Sequence, residues 1–147
     1  YVYYDEKLMV GYRYYDTKNI EPEFPFGYGL SYTSFKYEKM KLSKGHDNSV
    51  KVSVSLKNEG SHDGYETVQV YVKPINPSID RPIHELKAFK KVFMKANQTL
   101  SVDFELKADA FSFYNIDRKE WQVDKCKYEI EVGASSRNIF LRKSVTL

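Results

Sequence analysis

The side chains that could carry out chemistry are few, and they match no established catalytic or metal-binding pattern. The histidines His46, His62 and His84 fall in polar, loop-like stretches, at spacings that suit no metal motif. We therefore expect each of them to be a solvated loop histidine. Cys126 lies between two lysines, which would favour a thiolate, but no histidine partner is evident for it. A single cysteine also excludes an internal disulfide and a zinc site built from cysteines.

Three carboxylates, Asp117, Glu120 and Asp124, surround Trp121, which is the only tryptophan. A pair of carboxyl groups beside an aromatic ring would suit glycoside hydrolysis. However, residues 117–120 form a mixed-charge run, which is typical of a solvated turn. The sequence also contains no nucleophile elbow, phosphate-binding loop or dinucleotide fingerprint. It therefore predicts no catalytic residue, no metal ligand and no cofactor.

Composition indicates a globular domain rather than a nucleic-acid or membrane protein. The chain has 147 residues, of which 41% are hydrophobic, which is sufficient for one packed core. Its net charge of +3 is small, and the charges are scattered, so we expect no nucleic-acid partner. It contains no run of about 18 apolar residues, so we expect no membrane partner.

Aromatic residues are concentrated at the start of the chain, where nine of the 13 tyrosines lie within the first 37 residues. Prolines and glycines interrupt this stretch repeatedly, which disfavours a long helix or strand. We interpret residues 1–34 as an irregular strap. Its rings could join the core of this domain, but they show little alternation, and the pattern favours an interface with another surface.

From residue 35 onward the hydrophobic pattern has a period of two, which is typical of half-buried strands. The apolar residues of the first strand occupy odd-numbered positions before residues 38–39 and even-numbered positions after them, which predicts a β-bulge there. A less regular strand is expected at 86–93, and a short helical turn at 108–115. The sequence predicts an all-β, fibronectin type III-like (immunoglobulin-like) β-sandwich of about seven antiparallel strands over residues 35–147. Its clearest strands are 50–56, 68–72, 100–106, 128–132 and 139–147.

Several motifs together resemble a known family. They are VGYRYYD at 10–16, FPFGYGLSYT at 24–33, a pattern NxG…GxExxQxY within 58–71, RP at 81–82, ELKAFKKV at 85–92 and YEIEVGASS at 128–136. In this order they resemble the C-terminal part of glycoside hydrolase family 3, the β-glucosidases and β-xylosidases. The resemblance extends over nearly the whole chain.

The resemblance implies a non-catalytic domain. In that family the nucleophilic aspartate lies in an N-terminal barrel, and the acid/base residue comes from an α/β sandwich domain or a loop upstream of this region. Residues 1–34 would then be the end of the α/β sandwich domain. The expected partners are those two domains of the same parent chain, which would hydrolyse β-linked glycosides. Many relatives are secreted or periplasmic, which implies the same for the parent.

Five aromatic residues are predicted to dock the domain onto its parent: Tyr12, Tyr14, Phe24, Phe26 and Tyr32. The segment 24–32 alternates rings with proline and glycine, which indicates a rigid elbow aimed at a neighbouring surface. We expect its burial partner to be the absent domains.

Two alternatives remain open from the sequence. A carbohydrate-binding module would stack sugars on Trp121 and Tyr71 and would show a flat pair of exposed rings. Carbohydrate is therefore a second candidate partner. A cell-surface interaction domain of immunoglobulin-like fold would predict tandem copies, and the sequence shows no repeat.

Overall fold

The computed structural model describes residues 5–147. Tyr1, Tyr3 and Tyr4, which contribute to the aromatic strap in the sequence, lie outside the described residues. The strap has no long helix or strand between residues 5 and 34. It contains a turn at 5–8 and one short helix, α1, at Tyr12–Thr17.

The rest of the chain forms two packed antiparallel sheets and a small hairpin. One sheet has the order β1-β2-β5, the other β4-β3-β8-β9, and β6 pairs with β7. This confirms the predicted all-β sandwich, with seven strands in its two sheets. The strands are β1 Phe35–Lys44, β2 Val50–Asn58, β3 Gly64–Ile75, β4 Glu85–Met94, β5 Thr99–Leu106, β6 Ser112–Asn115, β7 Glu120–Val123, β8 Lys127–Gly133 and β9 Ile139–Thr146.

Alternating side chains of both sheets meet in one core. On β2 the apolar residues between Val50 and Leu56 are fully buried, while the lysines and serines between them face outward. The corresponding positions of β3 and β8 are also closed to solvent. The parity change in β1 coincides with a register shift between Tyr37 and Lys39, as predicted.

The hairpin β6–β7 corrects one expectation. The predicted helical turn at 108–115 ends early, since a 3₁₀ turn covers only Ala108–Ala110. Residues 112–115 extend instead and pair with Glu120–Val123. The mixed-charge run forms the turn of this hairpin, as its composition indicates.

The strap crosses the outer face of the sheet β4-β3-β8-β9. The Gln69 side-chain amide donates to the carbonyl oxygen of Gly27 at 3.1 Å, and the Ser136 N–H donates to the carbonyl oxygen of Phe26 at 2.8 Å. At the far end, the Thr33 hydroxyl donates to the buried Asn58 side chain at 2.6 Å. No helix in residues 5–147 is long and apolar enough to cross a membrane.

Candidate docking surface

A buried polar cluster holds α1 on the sandwich. The His84 ring has its Nδ1 atom 2.6 Å from Glu131 Oε2 and its Nε2 atom 3.1 Å from Asp16 Oδ2. Arg137 donates from its guanidinium to the Asp16 carboxylate, and Arg142 Nε donates to Glu131 Oε1 at 3.2 Å. The Asp16 and Glu131 side chains are each only 5% exposed. The cluster therefore joins the strap to β8, β9 and the loop before β4.

The prediction that His84 is a solvated loop histidine is wrong. It does lie in the loop before β4, but only 7% of its surface is exposed, because α1 covers it. The ring of Tyr71 also stacks against it, with centroids 4.8 Å apart. His46 and His62 are exposed, as expected.

A second ion network lies beside the first. The Glu85 carboxylate, at the start of β4, forms three salt bridges. Its partners are Arg13 of the strap at 3.0 Å, Arg81 at 3.3 Å and Lys87 at 3.5 Å. Burial lowers the pKa of Lys87, and the Glu85 charge opposes that shift. Helix α1 thus presents one cation and one anion, Arg13 and Asp16, to groups of opposite charge on the sandwich.

Tyr12 and Phe26 connect the two halves of the strap, which are helix α1 and residues 24–32. Their rings stack with centroids 4.4 Å apart and planes 15° apart. The Tyr12 hydroxyl accepts a hydrogen bond of 2.9 Å from the Leu86 N–H. Tyr12 is therefore half-buried on this domain, although it belongs to the five predicted docking residues.

Tyr71, a candidate sugar-stacking residue under the carbohydrate-binding alternative, is fully buried and cannot stack on a sugar in this structure. The Tyr12 and Tyr71 rings meet edge to face with their centroids 6.3 Å apart. The Tyr71 hydroxyl donates to Gln69 Oε1 at 2.7 Å. Burial, followed by the Tyr12, Asp16 and Glu131 charges, raises the pKa of this phenol well above its usual range. Strand alternation puts Tyr71 on the outer face of the sheet, and the strap then covers that face.

The other four predicted docking residues are exposed. Tyr14 and Phe26 are about half exposed, Phe24 is 65% exposed and Tyr32 is entirely exposed. Leu30, between these rings, is 89% exposed. Large apolar side chains held open along one segment form a surface that commonly marks an interface.

Strands β3 and β4 continue this surface beyond the strap. Residues 26–31 line an open groove of about 460 Å³ together with Tyr65, Phe89 and Lys91 of the strands. Phe89 and Phe93 are 67% and 48% exposed. We call the residues that line this groove, 26–31 together with Tyr65, Phe89 and Lys91, the aromatic groove. The irregular apolar pattern of residues 86–93 does not single out Phe89 and Phe93, although they alternate in the same register as Lys91, which indicates a solvent-facing position.

The hairpin β6–β7 carries the single tryptophan of the chain. Trp121 is 72% exposed and meets Tyr114 edge-on, with ring planes 70° apart. This pair is not the flat platform that a sugar-stacking module would present. Within residues 5–147, no group of three or more potential ligands could hold a metal ion.

Comparison with known proteins agrees with this architecture. The family model of the fibronectin type III-like domain matches residues 66–136, and the sandwich is a domain of that class. Thermostable beta-glucosidase B of Acetivibrio thermocellus is 50% identical over 98% of this chain. The GH3 beta-glucosidase structure of Bifidobacterium adolescentis superposes on 98% of the chain with a TM-score of 0.95 and 42% identity. An Exo-alpha-(1->6)-L-arabinopyranosidase of Bifidobacterium breve is 42% identical over 98% of the chain.

The chain therefore contains a fibronectin type III-like domain and, over nearly its whole length, is similar to one region of family 3 β-glucosidases. It spans about a fifth of the relatives it matches: 20% and 19% of the two enzymes and 21% of the solved structure. Most of the length of these relatives therefore lies outside the region compared.

Proposed function

We propose that this domain docks onto the other domains of a glycoside hydrolase of β-glucosidase type and stabilises them, without contributing a catalytic group. The observation that carries the proposal is the aromatic groove. Its rings are open to solvent, from Phe26 and Tyr28 on the strap to Phe89 on β4. The strap rings of Phe24 and Tyr32, which flank this segment in sequence, are exposed as well. The partners would be the catalytic barrel and the α/β sandwich domain of the same parent.

The names of the relatives support a structural rather than a substrate-selecting role. Similar regions, at 50% and 42% identity, occur in an enzyme named for β-glucosides and in one named for α-linked arabinopyranosides. We infer that the groove recognises protein surface and that the parent's sugar specificity is determined by its other domains.

The decisive test compares one substitution in two contexts. The Tyr32 side chain is entirely exposed in this chain, so removing it loses no buried apolar area. Tyr32→Ala should therefore change the unfolding free energy of the 147-residue chain by less than about 0.5 kcal/mol. In the full-length parent, where the ring would be buried, it should cost about 2 kcal/mol. Chemical denaturation of both proteins measures the two values.

Trp121→Ala is the matched control, since Trp121 is another exposed ring but belongs to β7 of the hairpin and not to the strap. It should be nearly neutral in both contexts. Equal losses for Tyr32→Ala in the chain and the parent would contradict docking through the strap.

Independently, the 147-residue chain should not hydrolyse aryl β-glucosides. Hydrolysis whose rate stays proportional to the concentration of the chain through further purification would contradict a non-catalytic role.

A further inference from the structure

The cluster around His84 contains a proton-dependent contact between two segments far apart in the chain. Both ring nitrogens lie within hydrogen-bond distance of carboxylate oxygens, at 2.6 Å from Glu131 and 3.1 Å from Asp16. A carboxylate only accepts hydrogen bonds, whereas a neutral imidazole has a single N–H. Both contacts can be made at once only by a ring that carries two protons.

We propose that His84 is a pH-sensitive latch, which holds helix α1 of the strap on the sandwich most tightly while its ring is doubly protonated. When the ring loses one proton, one of the two carboxylates faces a nitrogen lone pair instead of a donor. The Asp16 contact is the longer of the two, so we expect the strap side to loosen first. This latch is independent of whether the aromatic groove docks a partner.

The surroundings of the ring support the doubly protonated state. Burial lowers the pKa of His84, but its hydrogen bonds and charge interactions with Glu131 and Asp16 outweigh burial and place it above the ordinary 6.5. Burial likewise raises the pKa of Glu131, yet His84 and Arg142 bring it below the ordinary 4.5. The groups that face the cluster are the carboxylates of Asp16 and Glu131, the guanidinium groups of Arg137 and Arg142, and the phenols of Tyr12 and Tyr71.

These directions define the pH range in which the latch is closed. Because the folded-state pKa of His84 is raised, its stabilisation is complete below about 6.5 and is lost as the pH rises through the higher folded-state value. Because the pKa of Glu131 is lowered, its contribution is present above about 4.5 and is lost as the pH falls through the lower folded-state value. Arg137 still reaches Asp16 when the ring is neutral, so the strap should loosen rather than detach.

The first experiment follows the histidine ring signals of the 147-residue chain by NMR from pH 5 to pH 9 (about four units, to bracket an ordinary histidine). We expect the pKa of His84 to lie above the ordinary histidine value of about 6.5. If His84 titrates at or below that value, the latch is wrong.

The second experiment asks whether the proton controls the strap. Amide protection factors, corrected for intrinsic exchange, are measured for Tyr15, Lys18 and Ile20, whose N–H groups bond within or just after α1. Above the His84 pKa they should fall by up to about tenfold per pH unit, the limit for one linked proton. Core amides of β2 should not follow this trend.

Two variants isolate the ring. His84→Gln, with one neutral amide, should remove the additional pH dependence of α1, whereas His46→Gln at the exposed turn should keep it. A purely structural role for His84 would lower protection in His84→Gln without changing its pH dependence. If protection of α1 in the unmodified chain is constant while His84 titrates, the proposal is overturned, whatever the variants show.

Discussion

The two halves of the strap use opposite chemistry on neighbouring parts of the same domain. Around α1, Arg13 and Asp16 turn inward and reach buried partners on the sandwich. Residues 24–32 expose Phe24, Leu30 and Tyr32 instead. Charge pairs and hydrogen bonds fix the first half in one position, whereas the rings of the second half have few partners in this chain. The difference indicates that the anchored half orients the open half.

This division has a physical reason. Removing one partner of a buried ion pair is costly, and the hydrogen bonds within the pair depend on angle as well as distance. Apolar rings gain free energy from the area they bury and impose looser geometric demands. Directional contacts therefore suit a fixed attachment within the domain, and apolar area suits association with a separately folded surface.

The largest expected effect comes from breaking the anchored half. Asp16→Ala removes the carboxylate from between His84 and Arg137 and leaves both without this partner. We expect it to cost about 3 kcal/mol of unfolding free energy, as for the loss of one partner from a buried pair. Chemical denaturation at pH 6 measures the loss. Glu23→Ala, an exposed strap carboxylate, is the control, and equal losses for the two variants would remove the proposed difference between the halves.

A smaller effect is expected at the point where the two halves meet. Gly27 has a φ of +80°, and a Cβ there would overlap the amide of Gln69, which binds the strap. Gly27→Ala should therefore cost about 2 kcal/mol, through backbone strain and displacement of that amide. Gly29→Ala places its Cβ in open space and should be nearly neutral. The paired values come from thermal or chemical unfolding, and a neutral Gly27→Ala would show that the elbow is not rigid.

The smallest effect is expected for the ring outside the strap. Trp121→Ala should change stability by less than about 0.5 kcal/mol, since the indole is largely exposed. Because Trp121 and Tyr114 meet edge-on, we also expect no retardation of the chain in native gels that contain soluble β-glucan. Retardation of the unmodified chain that Trp121→Ala abolishes would favour a carbohydrate-binding module instead.

Local periodicity predicted most of the sandwich. Apolar and polar residues alternate in 50–56 and in 100–106 because each strand has one face in the core, and every second side chain points to that face. Even the bulge in β1 could be predicted, since inserting one residue reverses the parity of all that follow it. The hairpin β6–β7 was missed because each strand has only four residues, too few to establish a period.

The polar cluster could not be predicted in this way. His84 lies 68 positions from Asp16 and 47 from Glu131, so no local pattern connects them. Tyr71 alternates with buried valines, which correctly puts it on the outer face of β3. Its burial depends on the strap, whose path is determined by contacts distant in sequence. The docking role of Tyr12, Tyr14, Phe24, Phe26 and Tyr32 stays a prediction.

The separation of Asp16 from Arg137 also has a consequence in time. The two residues are 121 positions apart. At a synthesis rate of about 5–20 residues per second, on the order of 6–24 seconds pass between their additions to the chain. During that interval the residues that bind α1 have not all been synthesised, whereas the rings of residues 24–32 are already part of the chain. In the proposed parent, these rings could meet the preceding domains before the sheet that the strap covers is complete, so assembly of the enzyme would begin before this domain has finished folding.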